Sequence, residues 1–272
     1  MTHKWAVAQV NSGKDYRENL DRAEKYISQA AGEDCKLIAF PEHFLCRDKP
    51  SRIFDNPWTL TSEPVKRLVA AARSESIGIL AGSLPLQDSE DDALVYNTCL
   101  YIDPSGTIAG QYRKIHLFDA HLDERHSIRE SEFMERGEKV VDLEIQGVHC
   151  GLSICYDLRF PEIFRILAER RVQAIFVPSC FTARTGRAHW EPLLKGRAIE
   201  NQCYIIAPNQ IGMNPGTRIE AHGRSLVIDP WGELVAGASA GEGWFSFRLD
   251  VDYIHQVRKK LPSLNHIELR GE

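Results

Sequence analysis

The sequence predicts an α/β chain built from two β-sheets that pack face to face, with helices on their outer faces. Three observations carry this. Short continuous apolar runs of strand length alternate with segments of helical period. Strand pairs joined by Pro/Gly turns are interleaved with these βα units. The total, about a dozen strands and five or six helices, is too many strands for one open sheet of ordinary size, so two packed sheets are the economical solution.

In chain order, residues 4–10 alternate as a strand, and 19–31 place Leu20, Ala23, Ile27 and Ala30 at helical spacing. Residues 36–40 are a continuous apolar run closed by Pro41, which delivers Glu42 at the C-terminal end of a core strand. A helix over 64–76 turns Val65, Leu68, Val69 and Ala72 inward, and 77–84 is the next buried strand. Asp103-Pro104-Ser105-Gly106 joins strands at 95–102 and 107–111 in a hairpin that leads into Lys114. Residues 121–137 are polar and weakly periodic, and are expected to form a surface loop. A strand pair at 140–145 and 148–154 ends in Cys155, and Pro161 opens a helix over 162–171, so Cys155 sits on a strand-to-helix elbow. A strand at 174–178, a loop at 181–187, a helix over 188–201 and strands at 203–207, 225–229 and 244–249 complete the fold, with a hairpin turn at Asp229-Pro230-Trp231-Gly232. One domain is expected over residues 1–272, with the tail 261–272 following an amphipathic helix and docking on a partner subunit.

Composition narrows the function. A 272-residue chain that is 43% hydrophobic can bury a large core, and its net charge of -5 gives no basic footprint for nucleic acid. Residues 1–10 lack the apolar core of a signal peptide, and no apolar run is long enough to span a membrane. A cytoplasmic protein acting on a small molecule is the expectation. The seven cysteines are an odd number without framework or Cys-x-x-Cys spacing, which points to reduced thiols and against a disulfide scaffold or a zinc site.

Glu42, Lys114 and Cys155 each follow the C-terminal end of a strand or hairpin, the sheet edge where α/β folds place their sites. Together they are chemically complementary: a carboxylate to take a thiol proton, an ammonium to stabilise an oxyanion, and a thiol to attack. Taken singly, each also fits a structural thiol or an ordinary ion pair. A Cys-His pair using His43, His116, His149 or His189 lacks a clear orienting Asn or Asp. The cluster His116, Asp119, His121, Asp123, Glu124 and His126 matches no compact metal-ligand spacing. No metal and no cofactor are expected.

Three stretches in this order, Phe40-Pro41-Glu42-His43-Phe44, Tyr112-Arg113-Lys114-Ile115-His116-Leu117-Phe118-Asp119 and Ile154-Cys155-Tyr156-Asp157-Leu158-Arg159-Phe160-Pro161-Glu162, resemble the signatures of the nitrilase superfamily of carbon-nitrogen hydrolases. The resemblance implies a four-layer α-β-β-α sandwich and dimers that extend it across their interface. It also implies a triad with Glu42 as general base, Lys114 as oxyanion stabiliser and Cys155 as nucleophile, with the backbone N–H of Tyr156 as a second oxyanion donor. A second glutamate after the lysine is expected at Glu130, with Glu132 competing. The stretches Thr185-Gly186-Arg187-Ala188-His189-Trp190-Glu191 and Arg197-Ala198-Ile199-Glu200-Asn201-Gln202-Cys203-Tyr204 look like the Nit branch, which comprises deaminated-glutathione amidases and ω-amidases.

The resulting expectation is a homodimeric amidase that hydrolyses the terminal carboxamide of a small anionic substrate of deaminated-glutathione type through a cysteine acyl-enzyme, releasing ammonia. An ω-amidase of 2-oxo-dicarboxylic monoamides, an N-carbamoyl amidase and a non-catalytic assembly subunit of the same fold are the alternatives. Substrate contacts are expected from Phe181, Arg184, Thr185 and Arg187, on a loop that should overhang Cys155.

Overall fold

The computed structural model describes residues 2–121 and 127–268. In chain order its elements are β1 (Thr2–Gln9), α1 (Tyr16–Gly32), β2 (Leu37–Ala39), α2 (Pro50–Phe54), α3 (Glu63–Glu75), β3 (Gly78–Leu86), β4 (Tyr96–Ile102), β5 (Ile108–Arg113), β6 (Asp119–His121), β7 (Ser127–Arg129), β8 (Asp142–Ile145), β9 (Val148–Leu152), α4 (Pro161–Glu169), β10 (Ala174–Phe176), α5 (Ala183–Asn201), β11 (Tyr204–Ala207), β12 (Ile211–Met213), β13 (Glu220–His222), β14 (Leu226–Ile228), β15 (Leu234–Gly237), β16 (Gly243–Asp250) and α6 (Val251–Lys260). Short 3-10 helices cover Glu130–Glu132 and Cys155–Arg159.

Two six-stranded sheets carry the fold, ordered β16-β1-β2-β3-β4-β5 and β15-β14-β11-β10-β9-β8. The centre of each is parallel, β1-β2-β3 in the first and β9-β10-β11 in the second, and antiparallel strands flank it. Period-2 alternation puts Trp5, Val7, Leu37 and Leu80 of the first sheet into one core with Cys150, Leu152 and Phe176 of the second. Trp5 and Phe176 stack across that interface at 5.8 Å. Alternate residues on the first sheet's outer face, among them Ala6, Ala8 and Ile38, meet Leu20, Ile27, Val65 and Leu68 from α1 and α3. Helix α5 packs on the second sheet and against α4. The expected four-layer α-β-β-α sandwich is therefore the observed architecture.

Several boundaries differ from the sequence reading. Residues 127–134 are not a simple surface loop: β7 pairs with β6, and the 3-10 turn that follows buries Glu130. Helix α5 begins at Ala183 rather than 188, because the Thr182 side chain accepts a hydrogen bond from the Thr185 N–H and caps the helix. Helix α2 and the β12–β13 hairpin were not expected as separate elements; both are short, and periodicity needs length to register. Of the expected docking tail, Leu264 is buried and Asn265 accepts from Arg171 at 2.6 Å, so its start packs on the chain's own body. Residues 269–272 lie outside the described residues.

Two glycines fix how closely the site-bearing segments approach. A Cβ on Gly82 would lie 1.9 Å from the Phe40 carbonyl oxygen, and one on Gly137 would lie 2.2 Å from the Arg113 carbonyl oxygen. Only glycine allows β3 and the chain at 137 to sit against the backbone that delivers Glu42 and Lys114.

Candidate active site

The parallel strands of both sheets end at one edge, and β2, β9 and β10 release Glu42, Cys155 and Cys180 there. Lys114 arrives from the first sheet, one residue past β5. Its ammonium is 1% exposed and lies 2.9 Å from Glu42 Oε1 and 2.8 Å from Glu130 Oε2. An ammonium has three donors, so one N–H remains for a third acceptor. Glu42 also accepts from Asn97 Nδ2 and from the Cys180 N–H, both at 2.9 Å. Glu130 Oε2 also accepts from the Phe118 N–H at 2.8 Å. Glu132, the competing second glutamate, is half-exposed and pairs with Arg129 on the surface, so the buried partner of Lys114 is Glu130.

Cys155 is 8% exposed and has φ 47°, a left-handed backbone that a non-glycine residue adopts only where its surroundings enforce it. Its N–H donates to the Pro178 carbonyl at 2.9 Å. Asp157, fully buried, accepts from the Ile154 N–H at 2.9 Å, the Tyr112 hydroxyl at 2.6 Å and the His116 N–H at 3.0 Å. This single carboxylate ties the cysteine elbow to the strand that carries Lys114. His116 Nδ1 also lies 2.9 Å from Asp157, and its ring stacks on Phe160 at 3.6 Å. Among the described residues two histidines have an aspartate partner: His116 is thus held as part of this brace, and His149, on β9, pairs with Asp142 at 2.7 Å. Tyr156 occupies the first turn of a 3-10 helix, where the leading N–H groups have no partner within the helix.

Burial pushes the Glu42 carboxyl up, but the Lys114 ammonium more than offsets it and holds it at about 2. Burial, followed by the charge of Glu42, raises the Cys155 thiol well above its ordinary value. The resting pair is therefore a neutral thiol hydrogen-bonded to a carboxylate. Glu130 is raised by burial and by the charge of Glu42, with Lys114 opposing. For Lys114, burial is outweighed by Glu130 and Glu42, which hold it cationic. Glu42, His43 and Glu130 lie close enough to suggest a metal site among the described residues. The two carboxylates already share the Lys114 ammonium, however, which offsets half of the charge that would draw a cation and occupies an oxygen of each. Residues 122–126 of the histidine- and acid-rich stretch lie outside the described residues.

Glu42, Lys114, Glu130 and Cys155 line a cavity of about 90 Å³ together with Tyr156, Arg159, Phe181 and Thr185. One water needs only ~10–15 Å³ on this measure, so the cavity takes a small molecule. Phe181 and Thr185 stand where the sequence placed them. Arg184 and Arg187 do not: both are exposed on the first turns of α5, outside the cavity lining. The capped helix replaces the expected loop and turns them to the surface. The lining arginines are instead Arg159 and Arg47. The guanidinium of Arg159 lies 5.0 Å from the centre of the Phe181 ring and 5.8 Å from that of Tyr156. Asn97, Cys180 and Arg47 were not singled out from sequence. Arg47 follows Glu42 by five residues and Cys180 follows β10, so their position near strand ends was the available signal.

The carbon-nitrogen hydrolase family profile matches residues 4–259. The chain is 36% identical over 264 residues to the deaminated glutathione amidase of Synechocystis sp. (strain PCC 6803 / GT-S), covering 96% of both chains. It is 33% identical over 257 residues to omega-amidase NIT2 of Danio rerio, covering 94% of this chain and 91% of that one. The crystal structure of Saccharomyces cerevisiae Nit3, a member of branch 10 of the nitrilase superfamily, superposes with a TM-score of 0.86 at 32% identity, covering 96% of this chain and 94% of that chain. With the site geometry, these likenesses establish that the chain belongs to the carbon-nitrogen hydrolase family of the nitrilase superfamily.

Proposed function

We propose that the chain is an amidase that cleaves a linear amide of a small anionic acid through a thioester on Cys155. One observation carries this reading: the Lys114 ammonium bridges Glu42 and Glu130 in the wall of a cavity that the Cys155 thiol also lines. As Sγ attacks the amide carbon, the Glu42 carboxylate takes the thiol proton. The carbonyl oxygen becomes an oxyanion, which receives the remaining Lys114 N–H and the Tyr156 N–H. Collapse expels the nitrogen, which takes the proton back from Glu42. A water then gives its proton to Glu42 and attacks the thioester, releasing the acid and restoring the thiol. Glu130 touches no reacting atom in this scheme; it holds Lys114 and the 118 backbone in place.

Arg159 supports an anionic substrate, since it lines the cavity and no carboxylate lies within ion-pairing distance of it among the described residues. The Synechocystis relative, named for deaminated glutathione, supports a substrate of that type, and the Danio rerio relative supports the shared amide chemistry. The leaving group is ammonia for a carboxamide and an amine for a substituted amide such as a deaminated peptide. The test is a panel of anionic and neutral amides, carbamoyl compounds and nitriles, with both free ammonia and free amine measured. Fastest turnover of an anionic amide is expected; turnover of nitriles alone, or of nothing in the panel, would overturn the reading.

We further place the enzyme in the cytoplasm as a homodimer. All seven cysteines are free thiols. The outer strand β15 exposes Leu234 and Val235 beside the exposed Trp231, an apolar edge suited to continuation of the sheet by a second copy. Among the described residues no helix is long and apolar enough to cross a membrane. Sedimentation at a monomer mass would remove the dimer.

A further inference from the structure

Arg47 is a buried cation that the proposed amide chemistry does not use. It is 1% exposed, follows Glu42 by five residues and lines the same cavity. Its Nη1 donates to Asn11 Oδ1 at 3.2 Å and to the Ile211 carbonyl at 2.9 Å, and its Nη2 donates to the Gly212 carbonyl at 3.2 Å. All three acceptors are neutral. Its Nε is buried with no partner. Asp48, the adjacent carboxylate, faces Lys14 at 3.6 Å and Arg52 at 3.9 Å rather than Arg47. A guanidinium removed from water without a counter-ion is costly, and one that lines a cavity is in the state that a bound carboxylate relieves.

Arg159 also lines the cavity, four residues past Cys155 beyond the end of the second sheet's β9, whereas Arg47 follows the first sheet's β2. The reacting groups Glu42 and Cys155 are divided between the same two sheets. An amide held between them therefore meets two arginines that have no carboxylate partner among the described residues.

Resting on the amidase reading above, we propose that Arg47 is a specificity-determining residue, and that the substrate is an amide with two carboxylates, one for Arg47 and one for Arg159. This selects among anionic amides. A 2-oxo-dicarboxylic monoamide carries a single carboxylate and answers one arginine. A deaminated peptide conjugate, with one carboxylate on its acyl part and another on its leaving group, answers both.

The experiment compares kcat/KM of the full chain for a deaminated glutathione with both carboxylates free, for the same compound with either one esterified, and for the diester. Each free carboxylate is expected to raise kcat/KM about 10- to 150-fold, the range for a hydrogen bond to a charged group. In Arg47→Gln, one of the two monoesters should approach the diacid, because the carboxylate it lacks no longer has a partner. If esterifying the second carboxylate changes kcat/KM less than about twofold in the parent, the two-carboxylate proposal is wrong while the amidase reading stands. If no member of the set is hydrolysed while an amide with a single carboxylate is, the two-carboxylate proposal is likewise wrong; if no amide of either kind is hydrolysed, the amidase reading itself has failed. Should Arg47→Gln lower all four substrates equally, Arg47 only staples the β12–β13 hairpin. The ester series needs no variant, so loss of folding in Arg47→Gln would leave the central claim testable.

Discussion

The inner wall of the cavity and its periphery are built on opposite principles. On the inner wall every charge is answered: Lys114 has two carboxylates, Glu42 has three donors besides the Cys155 thiol, and Asp157 has three donors. Around it, Arg47 and Arg159 have no carboxylate within ion-pairing distance among the described residues. A fully satisfied network holds reacting groups in one geometry and keeps it before substrate arrives. Unanswered cations gain their partner only when the ligand binds, which converts desolvation already incurred in folding into affinity. The inner wall should therefore respond to mutation through kcat, and the periphery through discrimination between substrates.

The largest effect is expected at Cys155. Cys155→Ala removes the nucleophile and should reduce turnover by at least about 10⁴-fold. Thermal stability should change little, because the side chain lies on an elbow at the cavity wall. Residual activity within tenfold of the parent would end the nucleophile assignment. Next is Lys114→Met, which leaves Glu42 and Glu130 facing each other without their shared cation. A loss of ~3–5 kcal/mol in stability is expected from breaking such a buried pair, with turnover abolished, and denaturant titration together with the amide assay reads both. A stable but inactive variant would show that burial of the two carboxylates is not held by the lysine. Gly82→Ala comes third: its Cβ would meet the Phe40 carbonyl at 1.9 Å, so the backbone that delivers Glu42 must move. About 1–3 kcal/mol of destabilisation and a fall in kcat with KM nearly constant are expected. At the periphery, Arg159→Gln should cost about 10- to 150-fold in kcat/KM for an anionic amide and much less for a neutral one. Equal losses on both would dissolve the contrast between wall and periphery.

The same contrast explains what was legible in the sequence. Glu42 and Cys155 follow buried apolar runs and Lys114 follows a hairpin strand, and such elements are visible in a single sequence because their period, turn residues and flanking prolines are local properties. Their convergence at one edge was readable because parallel strands share a C-terminal side. Glu130 was singled out by motif context, although its polar surroundings suggested a solvated loop; its burial beside Lys114 depends on pairing between β6 and β7, which no local pattern reports. The errors concern the periphery. Arg184 and Arg187 were assigned to an overhanging loop because residues 181–187 mix glycine, threonine and arginine, yet Thr182 caps a helix there. Arg47, on a stretch without periodicity, reaches the site only because it reaches across to the carbonyls of β12, a contact at a sequence separation of more than 160 residues.

The smallest effect at neutral pH is expected at His43, which sits between the two zones. Its side chain is 10% exposed and lies 3.9 Å from Glu42 Oε1, and its Nδ1 is buried without a partner. Burial, aided by the positive charges of Lys114 and Arg47 and opposed by Glu42, lowers its pKa to about 4. A histidine whose folded-state pKa lies below its ordinary value of 6.5 stabilises the fold only while neutral. Its contribution is complete above about pH 6.5 and is lost as pH falls toward 4. Glu42, held at about 2, stays ionised across most of that window, so its own loss falls at lower pH. His43 also has φ 56°, which asparagine tolerates better than other residues. His43→Asn should therefore match the parent near pH 7.5 to within about 1 kcal/mol and lose less stability between pH 6.5 and 4, with His3, His222 and Glu130 titrating alike in both proteins. Parallel stability curves across that interval would mean that His43 does not titrate there, and that the boundary between the inner wall and the periphery lies elsewhere.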